Sequence, residues 1–328
     1  MLKFICRRLL LICLSMIVIT LMMFTLFRQL PGDPVLQWMT GDGTTLDPEM
    51  FQLEYDRISA MLGMDGPFIY QYFRWVTMLV QGDWGWSFIH NRDVIDVIRV
   101  PIGWTVVLNI AAITIGFLIT IPLGIFSAVK RGKAFDNGTM VFTTIGFSMP
   151  TFLVGILMIV IFAVFLQVLP TSGMISPIPP TEPFARFLDR VRFAILPLMT
   201  LTFVGLAGMT RYVRAQMCDA LSEDYVRTAR SKGLTEKVVI FSHAFRNALV
   251  PVVTLVAGTL IGLFAGSLVI ERTFGWSGMG SVMIDSLMLG DYAIVKAMNV
   301  FYALVSLVTI LIMDLAYGLV DPRIKVAG

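Results

Sequence analysis

Few residues in this chain have types and spacing that could do chemistry. Its two histidines, His90 and His243, are far apart, and no HExxH pattern puts a pair on one helix face for a metal. Ser277 sits among glycines in FGWSGMG, but not in the G-x-S-x-G spacing that raises a nucleophile on a sharp turn. RGKAFDNG contains a Gly-Lys without the G-x-x-x-x-G-K-[ST] frame that wraps a phosphate. Cys6, Cys13 and Cys218 are too few and too scattered for a disulfide framework or a metal site. What remains is one charged cluster, EDYVRTARSKGL. It gathers Glu223, Asp224, Tyr225, Arg227, Arg230 and Lys232 between two long apolar segments. That set suits recognition rather than catalysis.

The elements that must position this cluster are legible around it. Ser222 is the expected N-cap, and Glu223 and Asp224 bring negative charge to the first turn, where the helix dipole favours it. Lys232 falls in the last turn and Gly233 is the C-terminal glycine, so Glu223–Lys232 reads as a helix of under three turns. Thr235 is expected to cap a second helix, with Glu236 in its first turn, that runs through KVVIFSHAFRNALVPVV into the next apolar segment. A helix this short is marginal alone in water, so one face must be covered. Its apolar contacts would be Tyr225, Val226, Ala229 and Leu234. Either a groove on a soluble partner covers them, or the helix rests on lipid headgroups drawn by its Arg and Lys. The length of the polar loop, residues 211–246, favours a partner.

Composition places the whole chain in a bilayer. Of its 328 residues 57% are hydrophobic and only 14% charged, against roughly 25% charged in soluble domains. The mean hydropathy is +0.81. A spanning helix needs about 20 mostly apolar residues. Fenced by charges, six segments qualify or nearly so, predicting helices over about 9–28, 103–129, 139–169, 193–212, 247–270 and 297–320. The first follows Lys3, Arg7 and Arg8 as a signal peptide would. It is long for one, however, and FTLFRQLPGD offers no small-residue cleavage site, so it reads as an uncleaved helix.

With the N-terminus inside, the inner pieces carry more Lys and Arg than Asp and Glu, and the outer pieces the reverse. All six tryptophans fall outside or at the outer boundary. Residues 29–99 are too polar to span and form an outer segment, either an amphipathic layer on the membrane surface or a docking surface. In the fifth span Gly258, Gly262 and Gly266 make a small-residue face for close helix packing, with a weaker version at Gly116, Thr120 and Gly124 in the second.

The stretch EDYVRTARSKGLTEKVVIFSHAFRNALVP resembles the cytoplasmic EAA loop of binding-protein-dependent ABC importers. More narrowly, it is similar to that of the permeases for dipeptides, oligopeptides, nickel and glutathione. The acidic residue, the small residue, the glycine and the hydrophobic-x-Pro end fall at Glu223 or Asp224, Ala229, Gly233 and Leu249-Val250-Pro251. TAR stands where a literal EAA would. The likeness extends over nearly the whole chain, through YQYFRWVTMLVQGDWGWSF, IERTFGWSGMGSVMIDSLMLGDYAIVKA and DLAYGLVDPRIK, and is closest to the first-subunit, B-type permeases.

The resemblance implies an all-α polytopic membrane protein of the type I ABC importer permease fold, with six spanning helices. Residues 1–99 would hold the first helix and an extracytoplasmic subdomain, 100–320 the transmembrane core with the coupling loop at 213–246, and 321–328 a tail. Both termini would be cytoplasmic, in a bacterial inner membrane. The partners implied are a second, related permease, two ABC ATPases that bind ATP and Mg, and an extracytoplasmic substrate-binding protein. This chain would bind no cofactor, metal or nucleic acid and catalyse nothing. Its segment Glu223–Leu234 would be the coupling helix, and its cargo peptides, or else nickel or glutathione. The rival class is a self-sufficient secondary transporter. Such carriers place ionisable residues in mid-membrane, and these six spans hold none in their middles.

Overall fold

A computed structural model of the chain describes residues 2–29, 35–36, 39, 47–61, 64–259, 263–264 and 268–320. The chain divides into two compact units, Met1–Pro101 with Val282–Gly328, and Ile102–Ser281.

In the first unit α1 (Leu2–Arg28) is a single apolar helix, begun seven residues before the expected start. It lies along α13 (Tyr292–Val320), and the Arg8 guanidinium meets the Asp314 carboxylate at 3.0 Å. The outer segment supplies α2 (Pro48–Met61) and the aromatic α3 (Phe68–Val80). α3 is strongly amphipathic, and its inner face docks on α1. The Tyr72 hydroxyl is 2.9 Å from that of Thr20, and Trp75 stacks on Phe24. Arg28 donates to Gln71 Oε1, and Gln71 in turn closes the turn ahead of α3 by donating to the Met64 and Gly66 carbonyls. The Lys296 ammonium sits 5.0 Å from the centre of the Trp75 ring, an arrangement the ring's negative face favours. A two-residue hairpin, β1 (Trp86–Ser87) with β2 (Arg92–Asp93), precedes α4. There the buried Ser87 hydroxyl donates to Asp291 at the start of α13.

The second unit is organised around α7 (Pro183–Ser222), a helix of 40 residues. It overruns the expected 193–212 at both ends, because DRVR and RYVRAQMCDALS hold good helix formers that continue the turn. Against it pack α4 (Val94–Val129), α5 (Ala134–Ser148), α6 (Thr151–Met158) and α10 (Arg246–Thr259). The contacts need small residues. A Cβ on Gly124 would come within 2.6 Å of Val213, and one on Gly146 within 3.3 Å of Phe203.

The expected helix over 139–169 is corrected. It breaks between α5 and α6, which meet at 106°. Pro150 has no N–H and drives Met149 out of helical space, to φ −85 and ψ 133. α6 then relaxes into a π-helical turn over Ile159–Phe165. Among the described residues four helices are long and apolar enough to span a membrane: Ile5–Arg28, Val94–Val129, Pro183–Ser222 and Tyr292–Asp314. The bent pair makes five if it counts as one span. In the fifth expected span α10 is described to Thr259. Gly262 and Gly266 lie outside the described residues, as does what surrounds Gly258, and so does the tail 321–328.

Candidate functional site

α7 ends at Ser222, and after the single extended residue Glu223 (φ −73, ψ 151) the chain turns into α8 (Asp224–Ser231). This corrects the expected cap. Ser222 belongs to α7 and donates its hydroxyl back to the Asp219 carbonyl at 2.7 Å, while Glu223 occupies the cap position without a side-chain bond. Thr235 likewise stands at the cap of α9 (Glu236–Val238) without using its hydroxyl. The first turn of α8 still carries Asp224, which pairs with Arg227 one turn on at 3.3 Å.

The C-terminal end follows the expectation. Gly233 has φ +75, its N–H bonds the Arg230 carbonyl, and the Leu234 N–H reaches back to that of Ala229. This paired closure is what a left-handed glycine permits at a helix end. Beyond it Arg230 returns to Glu236 at 2.8 Å, bracing α8 against the following turn. That turn widens into a π segment, Val239–Phe245, before α10 begins.

The face of α8 that is covered is covered by the chain itself. Val226 is 0% exposed and Ala229 nearly so, and both join a core built from Ile125 and Ala128 of α4, Val213 and Met217 of α7, and Val239, Ala244 and Ala248 beyond the turn. Those two residues are therefore anchors rather than a partner's contacts, which corrects the expected contact face. Tyr225 at 37% and Leu234 at 40% stay exposed, together with Glu223, Asp224, Arg227, Arg230 and Lys232. The helix thus presents a polar surface with two apolar residues on a seat fixed from below.

Two buried polar hubs, which the sequence did not reveal, hold this unit. Near the α8 end, Asp136 in the first turn of α5 fills its carboxylate completely. Arg214 of α7 grips both oxygens, Ser127 donates to Oδ1 and the Gly132 N–H to Oδ2. The hydrogen bonds from Arg214 outweigh desolvation and hold this carboxyl well below the usual carboxylate range. Asp136 lies ahead of the apolar part of its helix.

The second hub is Glu271 of α11 (Leu268–Thr273), which is buried. Its Oε1 accepts from Thr105 at 2.8 Å, and its Oε2 accepts the Gly280 and Ser281 N–H groups that open α12 (Met279–Leu289). Thr105 also accepts from the Met279 N–H. A Cβ on Gly278 would fall 2.5 Å from both Glu271 and Thr105, so Gly278 and Gly280 of FGWSGMG make room for a carboxylate rather than present Ser277. No cluster of three His, Cys, Asp or Glu suited to a metal occurs among the described residues.

The chain is similar along its whole length to transport permeases. Over 326 residues the chain is 34% identical to the oligopeptide transport system permease protein AppB of Bacillus subtilis, covering 99% of this chain and all of that one. It is 37% identical over 340 residues to the di/tripeptide transport system permease protein DppB of Pseudomonas aeruginosa, with 99% of each covered. It is 33% identical over 325 residues to the glutathione transport system permease protein GsiC of Escherichia coli O1:K1, again with 99% of each covered. Residues 120–326 match the binding-protein-dependent transport system inner membrane component, and residues 1–109 match the N-terminal part of such membrane components. A helical, non-catalytic chain with several membrane-length helices, similar along its whole length to transport permeases, belongs to the binding-protein-dependent transport system inner membrane components, the permease subunits of ABC importers.

Proposed function

We propose that this permease forms, with a second related permease, the path by which di- and oligopeptides enter a bacterial cell across its cytoplasmic membrane. Two ATPase subunits would bind ATP and Mg beneath it, and a binding protein would deliver cargo from outside. The observation that carries the reading is the seating of α8. A two-turn helix is anchored on the chain's own core through Val226 and Ala229 and turns its charged side outward. That is how a rigid contact for a soluble subunit must be built. A contact free to roll in its seat could not transmit the roughly 5.5 kcal/mol that moves a two-state equilibrium from 1:99 to 99:1.

In this reading residues Glu223–Leu234 are the coupling helix, received by a groove on one ATPase. ATP binding draws the two coupling helices together and turns the permease pair from inward- to outward-open. Six helices span the membrane, both termini are cytoplasmic, and α2, α3 and the hairpin form an extracytoplasmic layer within residues 29–99. Residues 100–320 form the transmembrane core, with Gly258, Gly262 and Gly266 at a helix contact. Relatives named for peptides support the cargo. Glutathione, itself a small peptide, is the second reading, favoured by the glutathione permease among the relatives.

The test is compositional. The tagged chain is extracted from its native membrane in mild detergent, and what stays bound is identified by mass spectrometry. Recovery of a second permease with one or two P-loop ATPases is expected. A clean homo-oligomer from a well-preserved extract would instead favour a self-sufficient carrier.

A further inference from the structure

Lys296, one turn into α13, carries a charge that no carboxylate balances among the described residues. Its ammonium sits 5.0 Å from the centre of the Trp75 ring of α3 and 6.0 Å from that of Phe24 of α1. The rings attract the charge, but its N–H groups meet no oxygen among the described residues, and the nitrogen reaches the surface of the first unit. Arg28 lies over Phe68 of the same aromatic cluster at 5.7 Å and bonds the neutral Gln71 rather than a carboxylate. The helices that carry these groups expose apolar side chains, Leu21 and Met22 on α1 and Ile69 and Phe73 on α3. Depth can be read along two antiparallel helices. The Arg8–Asp314 pair joins α1 and α13 near their other ends. From there Phe24 is about 24 Å away along α1 and Lys296 about 27 Å along α13, at 1.5 Å per residue. A helical side chain leans towards its N-terminus, which carries the Lys296 ammonium further from Asp314. The hydrocarbon of a bilayer is about 30 Å thick. The ammonium therefore stands at one membrane boundary, with Arg8 and Asp314 at the opposite one.

We propose that Lys296, in its aromatic seat, binds the phosphate of an anionic phospholipid, whose chains lie against the exposed apolar side chains of α1 and α3. A cation this close to hydrocarbon is costly unless an anion meets it. With the two rings on one side, the open side of the ammonium is where a phosphate oxygen can accept its hydrogen bonds. Basic pockets between spanning helices take lipid headgroups in this way. A carboxylate from a partner subunit would answer the charge equally, but it brings a protein surface that must be fitted to Ile69 and Phe73. The bilayer supplies phosphate and hydrocarbon together at this depth without any such fit. The site depends on the placement of α1 and α13 in the membrane and not on the cargo.

The test uses the chain extracted from its membrane with the subunits that co-purify, stripped of lipid by detergent exchange. Acetic anhydride labels accessible lysines, and peptide mass spectrometry reads Lys296. Dioctanoyl phosphatidylglycerol is expected to slow acetylation of Lys296 by about fivefold relative to dioctanoylglycerol, which has the same chains and no phosphate. Fivefold is about the worth of one lysine beside an anionic membrane surface. Equal labelling in the two lipids overturns the proposal. In native mass spectrometry Lys296→Gln is expected to retain about fivefold less phosphatidylglycerol than wild type, and Lys296→Arg to restore it. Unchanged retention in Lys296→Gln overturns the proposal. Loss of a co-purifying permease from Lys296→Gln, with lipid retention unchanged, does so as well and makes the anion a partner's carboxylate. If Lys296→Gln fails to accumulate in the membrane, the labelling of the wild-type chain decides alone.

Discussion

Arg214 holds Asp136 by both oxygens, Nε to Oδ1 at 2.5 Å and Nη2 to Oδ2 at 2.7 Å, and so ties the turn between α4 and α5 to the helix that leads into α8. Asp136→Asn is expected to destabilise the purified chain by about 3 kcal/mol, because the arginine is left facing an amide in a largely buried place. Arg214→Lys should fall between this and wild type, since a point charge cannot serve two oxygens. Thermal unfolding in detergent measures both.

The same carboxyl predicts a pH response. Its folded value is depressed, so its contribution is fully present above the unfolded value and is lost only as pH falls through the lower folded one. The difference in melting midpoint between wild type and Asp136→Asn should therefore stay constant between about pH 5 and 8. A difference that vanished by pH 5 would contradict the pairing.

Gly233 is expected to be intolerant of β-branching. A Cβ there meets nothing within 4 Å, so the cost of Gly233→Val is backbone strain at φ +75 and not crowding. Strain of this kind costs about 1–3 kcal/mol and is relieved by rotating the end of α8. Uptake should fall while ATP hydrolysis by the assembled transporter loses its response to substrate. Gly233→Asn, which accepts left-handed backbone better, should retain more of both. Normal coupling in Gly233→Val would show that the turn's angle does not matter.

The inward and outward faces of α8 should separate by phenotype. Val226→Asp puts an unpaired charge into a packed core and should deplete the chain from the membrane. Arg227→Glu, on the exposed face, should leave the chain level unchanged and reduce recovery of the ATPases. Quantifying chain and co-purified ATPases in both variants is the check.

Glu271 should tolerate an amide better than an apolar side chain. In Glu271→Gln the carbonyl can keep the Gly280 and Ser281 N–H bonds while the amide donates to Thr105. Glu271→Leu orphans those N–H groups, at about 1–3 kcal/mol each. Gly278→Ala should resemble the leucine variant, because its methyl would occupy the carboxylate's space. The melting order expected is wild type, Gln, then Leu with Gly278→Ala.

What the sequence disclosed follows from what is local. Apolar runs located α1, α4 and α13, and charge order with a terminal glycine located α8, because length, dipole and left-handed turn each act within a few residues. The inward face of α8 was misjudged because Val226 and Ala229 are buried by residues distant in sequence, Ile125 among them. Glu271 could not be found for the same reason, since its hydroxyl donor Thr105 lies 166 positions away. Pro150 was visible, but proline alone does not say whether a helix bends or breaks. Ser222 looked like a cap only while α7 was taken to end near residue 212.

Pro197 lies inside α7, buried, fourteen residues from one end and twenty-five from the other. At 1.5 Å per residue the two arms measure about 21 Å and about 38 Å. Bending concentrates where the ring removes a backbone hydrogen bond. The arm that leads into α8 is therefore the longer of two stiff rods joined where this helix bends most readily, and it can tilt as one piece while the shorter arm keeps its own direction.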